Sequence, residues 1–249
     1  MPRYFMELAY KGTQFSGFQV QENAITIQSS IEQALQVIFK AAIPLTGSSR
    51  TDAGVHAMQN FFHFDFDYII TPKNKYNLNA ILPADIAITA FYKVEPQQHA
   101  RFDAVSRHYK YVIYNQKNPF LEQTGYYYPF AVNTQLLQTA AQMVQHNTNF
   151  TAFAKRNSQV KTFNCQIMQS QWMFNGPVFE YQVAANRFLR GMVRALVATM
   201  LQVGREAITL NDFEALLHNK HNKQANFAAP PQGLFLQQVA YPFTLTPVA

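Results

Sequence analysis

"GSSRTDAGVHA", residues 47–57, decides how the rest of this 249-residue chain is read. It holds two glycines, two serines and an Arg-Thr-Asp core, and it follows neither the 3.6-residue period of a helix nor the two-residue period of a strand. Small neighbours leave Asp52 accessible, and Arg50 two positions earlier favours its ionised form. An ionised carboxylate can act as nucleophile, base or metal ligand. Taken alone, the commoner use of such residues is a surface turn closed by an Asx or Ser/Thr hydrogen bond.

The flanks give the loop its setting. Tyr4 to Tyr10 mixes aromatic and aliphatic residues and predicts a buried strand. After the glycine-bearing stretch "KGTQFSGFQVQ" (11–21), Ile27, Ile31, Ala34, Leu35 and Ile38 predict an amphipathic helix with Thr26 as N-cap. Beyond the loop, "NFFHFDFD" alternates Phe62, Phe64 and Phe66 with His63, Asp65 and Asp67, which predicts a half-buried strand. The loop is therefore carried between a helix and a strand, where functional loops are held by a rigid scaffold.

Further along, 77–88 predicts a short helix broken at Pro83 and running into a strand that ends near Val94, and "RHYKYVIY" (107–114) predicts a strand with Tyr109 and Tyr111 on one face. A helix is expected over 134–146, then strands near 163–174 and 178–185 broken at Gly176-Pro177. From Asn186 the pattern predicts one long helix, its apolar stripe facing inward and Arg187, Arg190 and Arg194 sharing the other face, with Gly204 as C-cap. A short helix near 211–219 and a strand near 234–240 follow. The fold class is α+β. Two similar halves, 1–103 and 104–249, each carry a mixed or antiparallel sheet with helices on one face.

Charge separates the halves. Residues 1–103 hold 8 Lys and Arg against 9 Asp and Glu, whereas residues 104–249 hold 12 against 5. A net +7 on the second half fits a polyanion partner, nucleic acid above all. No apolar run reaches the length of a membrane span, no secretory leader is expected at the N-terminus, and the single cysteine, Cys165, fits a reducing cytosol.

The motif as a whole resembles the GxGRTDxGVHA signature of the TruA family of tRNA pseudouridine synthases. Similar stretches follow in the family's order over about residues 4–242: "YKGTQFSGFQVQ", "LPADI", "HARF", "RHYKY", "NFTAF", "ANRFLRGMVRALV" and "GLFL". The resemblance implies a pseudouridine synthase fold. It also implies a cytoplasmic isomerase without cofactor or metal, acting as a homodimer on uridines 38, 39 and 40 of the tRNA anticodon arm. Its catalytic carboxylate falls on Asp52 and its active-site tyrosine on Tyr109, which would stack on or orient the uracil. Arg50 would pair with Asp52 or hold the extruded nucleotide, and Arg194 matches an arginine near the pocket. Arg187 and Arg190 are expected to contact RNA.

These residue types suit the chemistry. A base inside a stem must leave the stack, at a cost of roughly a few kcal/mol. Aromatic rings and arginine planes return part of that by stacking. A fixed carboxylate can meet the charge that develops at C1′ as the glycosidic bond breaks. Small neighbours are expected to leave room for a ribose. Ser49 and Phe18 depart from the family, which usually has glycine and tryptophan there. If position 49 requires a positive φ, serine carries strain. The alternative reading is a tRNA-binding paralogue without activity. "DFD" (65–67) suits a solvent-facing strand edge better than a metal site. "HNKH" (218–221) has metal-like spacing, but no third ligand type clusters nearby, which suits a solvated helix end better than a metal site.

Overall fold

In the computed structural model, which describes residues 1–155, 160–219 and 223–248, the chain divides into two units: Met1–Val105 with Phe235–Ala249, and Ser106–Leu234. The first contains β1 (Arg3–Tyr10), α1 (Ile27–Phe39), β2 (Thr46–Gly47), β3 (His56–Asp65), α2 (Pro72–Ile81) and β4 (Ile86–Val94). The second contains β5 (Ser106–Tyr114), β6 (Tyr126–Tyr127), α3 (Thr134–Gln145), β7 (Ile167–Asn175), β8 (Val178–Ala185), α4 (Met192–Gly204) and α5 (Leu210–Leu217). The last strand, β9 (Leu234–Ala240), returns to the first unit.

In the first unit β1 lies between β4 and β3, antiparallel to both, with Phe5 opposite Tyr92 on one side and His63 on the other. β9 pairs in parallel with β3 at His56 and Ala57. Helix α1 forms where its periodicity predicts, and Ile27, Ile31, Ala34 and Leu35 are its buried residues. Thr26 closes a capping box with Ser29: its side chain accepts from the Ser29 amide, and its own amide donates to Ser29 Oγ. α2 begins at Pro72, the first helical position that tolerates a missing N–H, and stops at Leu82, which is extended ahead of Pro83.

β3 departs from the half-buried alternation expected of it. Asn60, Phe61, Phe62, His63 and Phe64 are all buried in succession, between the exposed Met58 and Asp65. The Phe61–His63 face is roofed by the C-terminal segment, whose Tyr241 ring lies 5.2 Å from both Phe5 and Phe61. Tyr241 is itself tied down by donating its hydroxyl to Ala100 O at 2.7 Å. His63 is thus an interior acceptor, taking the Ala100 amide on Nδ1 at 3.2 Å.

In the second unit β8 pairs antiparallel with β5 and β7, and β6 adds in parallel to β5. α3 packs on β7 and α4. α4 starts at Met192, not at Asn186, because Gly191 sits at φ 75°, ψ 0° and breaks the helical path. Arg187 and Arg190 consequently precede the helix, and only Arg194 lies on it. There is no three-arginine helix face. Nor is Gly204 a left-handed cap. It is the last helical residue, and a Cβ there would come within 2.8 Å of Leu137 Cδ2, so its smallness admits α3.

Candidate active site

Residues 47–55 are built into the first unit rather than laid over it. The Phe18 ring stacks on Phe62 with centroids 4.5 Å apart and planes 12° apart, directly over Gly47. A Cβ at Gly47 would lie 2.2 Å from the Phe18 ring. Ser48, Ser49 and Thr51 are buried. The lack of a side chain at position 47 is therefore an interior packing requirement. Phe18, in the place where tryptophan was expected, belongs to that packing. Ser49 is absent from the positive-φ non-glycine positions among the described residues, which are Asn23, Lys40, Glu206 and Asn219. Serine carries no left-handed strain there.

Next to this packed stretch the chain turns outward. Ala53 is exposed, Asp52 half-buried and Arg50 exposed. The Val55 amide donates to Asp52 O at 3.2 Å, closing a four-residue turn whose third residue, Gly54, has φ 78° as a type II turn requires. On the other side the Phe18 amide donates to Thr51 O at 3.1 Å. Thr51 Oγ1 shares a 2.8 Å hydrogen bond with the Tyr10 hydroxyl. The fully buried Asn60 donates its two amide hydrogens to Tyr10 Oη at 3.1 Å and Ser49 O at 2.9 Å. His56 Nδ1 accepts the Gly12 amide at 3.0 Å, so that nitrogen is unprotonated. A carboxylate is thereby presented at the surface from a backbone held on both sides. Neither Tyr10 nor Asn60 stood out in the sequence as a partner of the loop.

The second unit carries the other expected residues. Tyr109, on β5 opposite Val183, is half-buried with its ring edge-on to Phe188 at 5.1 Å. Two residues on, Tyr111 is fully buried and donates its hydroxyl to Pro230 O at 2.7 Å. Burial pushes that phenol well above its ordinary range, with the Arg194 charge opposing. Arg194, in the first turn of α4, donates Nε to Ala229 O at 2.7 Å. Tyr111 and Arg194 therefore hold consecutive carbonyls of one segment. Arg190 is exposed, and its carbonyl accepts the Lys155 amide at 3.2 Å. Arg187 is half-buried near Cys165, whose thiol burial pushes up to about 11. Tyr126 and Tyr127 pair with β5, and Tyr128 is buried, so this run is packing.

Comparison with known proteins bears on the whole chain. A family model described as tRNA pseudouridine synthase matches residues 140–242. The tRNA pseudouridine synthase A of Parabacteroides distasonis is 40% identical over 253 residues, covering 100% of this chain and 99% of that protein. The chain belongs to the tRNA pseudouridine synthase A family. Proteins of the same name from Azobacteroides pseudotrichonymphae and Staphylococcus aureus are 37% and 35% identical, over 97% and 95% of this chain and 98% and 91% of their own.

In this member of the tRNA pseudouridine synthase A family, the loop with Asp52 and Arg50 lies in the first unit, while Tyr109, Arg187, Arg190 and Arg194 lie in the second. Among the described residues no group of three His, Cys, Asp or Glu side chains could hold a metal ion, and no helix is long and apolar enough to cross a membrane. Asp65 of "DFD" is engaged by Arg3, Nε to Oδ1 at 2.7 Å and Nη2 to Oδ2 at 2.8 Å. That guanidinium holds its carboxyl below the usual carboxylate range. His218 of "HNKH" lies 3.9 Å from Glu214, one helical turn away, and Lys220 and His221 are outside the described residues.

Proposed function

We propose that this protein isomerises uridine to pseudouridine in the anticodon arm of tRNA, at positions 38, 39 and 40, with Asp52 as the catalytic carboxylate. The bond from uracil N1 to the ribose C1′ breaks with its electron pair left on N1, the base turns, and C5 bonds to C1′; the C5 hydrogen leaves as a proton and N1 takes one up, so the product is an isomer. Family membership over the full chain supports the reaction type. The observation that carries the residue assignment is the setting of Asp52: its flanking backbone is fixed by hydrogen bonds, yet the residue itself remains partly open. A charge held in place costs little reorganisation when opposite charge develops beside it.

On this reading Tyr109 supplies a face or edge to the extruded uracil, and Arg50 and Arg194 hold its nucleotide. Arg187 and Arg190, within the basic residues 104–249, contribute to the grip on the phosphate backbone. The protein works in the cytosol as a homodimer, with one tRNA touching both subunits. The test is release of tritium from tRNA labelled at uridine C5, run beside a tRNA-binding titration. Asp52→Asn should abolish release while binding and melting temperature stay close to wild type, because a neutral amide can neither attack nor accept the proton. Substantial turnover by that variant would remove Asp52 from the reaction. Release by the wild type also excludes an inactive binding paralogue.

A further inference from the structure

We propose that the Tyr10 hydroxyl, held by the Asn60 carboxamide, is a positioning group that fixes Thr51 and through it the carboxylate of Asp52. The proposal rests on the assignment of Asp52 above. Three buried polar side chains form a chain that ends at Thr51, the residue before Asp52. Tyr10 is 4% exposed, Asn60 0% and Thr51 8%. They are linked in series: Asn60 Nδ2 donates to Tyr10 Oη at 3.1 Å, and Tyr10 Oη meets Thr51 Oγ1 at 2.8 Å. Asn60 uses its second amide hydrogen on Ser49 O at 2.9 Å, and its Oδ1 accepts the Phe61 amide at 2.9 Å. One carboxamide therefore grips the loop at two points, directly at Ser49 and through Tyr10 at Thr51.

Packing alone does not call for this chemistry. Phe5, Phe61, Phe62 and Leu8 fill the neighbouring positions of the same strands, whereas Tyr10, Asn60 and Thr51 bring polar groups into that interior. Polar groups in such an interior must all be satisfied, and a satisfied network specifies one geometry. The strand itself is bent to deliver the hydroxyl. β1 and β3 keep register from Arg3 to Leu8, opposite Asn60, and then slip, so that Tyr10 lies opposite Ala57. Irregularities of this kind re-aim a side chain near functional sites. The turn closed by Val55 N and Asp52 O fixes the far side of Asp52. Tyr10 fixes the near side.

The test uses near-isosteric variants of the full protein: Tyr10→Phe, Thr51→Val, the double variant, and Thr51→Ser, which keeps the hydroxyl. Each is assayed for tritium release at varied tRNA concentration, with rates normalised to folded protein. Tyr10→Phe and Thr51→Val should each lower kcat by about tenfold or more, since misplacement of a reacting group by about 1 Å can cost about 100-fold. KM should change less than about twofold, because Tyr10, Asn60 and Thr51 are buried. Both variants delete the Tyr10–Thr51 hydrogen bond, and Tyr10→Phe also removes the acceptor of Asn60 Nδ2, so the double should be no slower than Tyr10→Phe. Thr51→Ser should restore most of the rate. Unchanged kcat in folded Tyr10→Phe and Thr51→Val, or losses that multiply in the double, would overturn the proposal. Asp52→Asn in the same series separates the two failures. If it is inactive while Tyr10→Phe is fast, only the positioning role falls; if it is active, the assignment of Asp52 falls and takes this one with it.

Discussion

Gly47→Ala adds one methyl group at the point where the loop is most tightly packed. The new Cβ would stand 2.2 Å from Phe18 Cε1, 3.0 Å from Cζ and 3.2 Å from Phe62 Cε1. Carbon atoms rest at roughly 3.5–4.0 Å, so the Phe18 ring must retreat by about 1.3–1.8 Å. It has little freedom to do so. The ring is 1% exposed and stacked on Phe62. Its backbone is anchored in both directions, donating to Thr51 O at 3.1 Å and accepting from Gln28 N at 2.9 Å. Overpacking of this kind costs about 1–3 kcal/mol, and the rigidity of both rings places this case at about 2–3. For a chain of this length that lowers the melting temperature by about 4–12 °C.

Thermal melts and urea titrations of Gly47→Ala, Phe18→Leu and the double variant measure the effect. Phe18→Leu alone opens space and is destabilising. In the double variant the new methyl group occupies part of that space, so the two losses should sum to at least about 1 kcal/mol more than the double loses. A Gly47→Ala protein that melts within a degree of wild type, or strictly additive losses, would refute the account of why position 47 is glycine. Turnover provides a second reading, because Phe18 also holds the carbonyl of Thr51 beside Asp52.

Ser49→Gly should not raise the melting temperature, since Ser49 has no left-handed backbone to relieve. The added freedom of the unfolded chain should instead lower stability by about 0.4–1 kcal/mol, and a clear gain in a melt would contradict this. Burial lowers the His63 pKa to about 4 from an ordinary 6.5, so between those values the unfolded chain binds the extra proton. Stability contributed by neutral His63 is complete above about pH 6.5 and is lost as pH falls toward 4. His63→Asn keeps an acceptor for the Ala100 amide without titrating, so urea midpoints across that window should depend less on pH than those of wild type. An unchanged pH dependence would show that His63 is not the responsible group.

What the sequence made legible, and what it hid, follows from the range of each interaction. α1 was readable to its cap because Thr26, Ser29 and the apolar set from Ile27 to Leu35 all lie within ten residues of one another. Gly191 is equally local, yet an apolar stripe that runs across it reads as unbroken, because periodicity records which side faces inward and not whether φ turns positive. The same limit hid His63. Alternation in β3 correctly set Phe62 and Phe64 on one face, but the cover over the other face comes from His99–Asp103 and Tyr241, distant in the chain. At the site the motif exposed Asp52, since "RTDAGVHA" is contiguous. The hydroxyl and carboxamide behind it were silent, because Tyr10 lies 41 residues from Thr51 and 50 from Asn60. A tyrosine ending an apolar strand looks like core, and core is what its ring is. Only the pairing of β1 with β3, and the slip between Leu8 and Tyr10, turns its hydroxyl into a support for the loop.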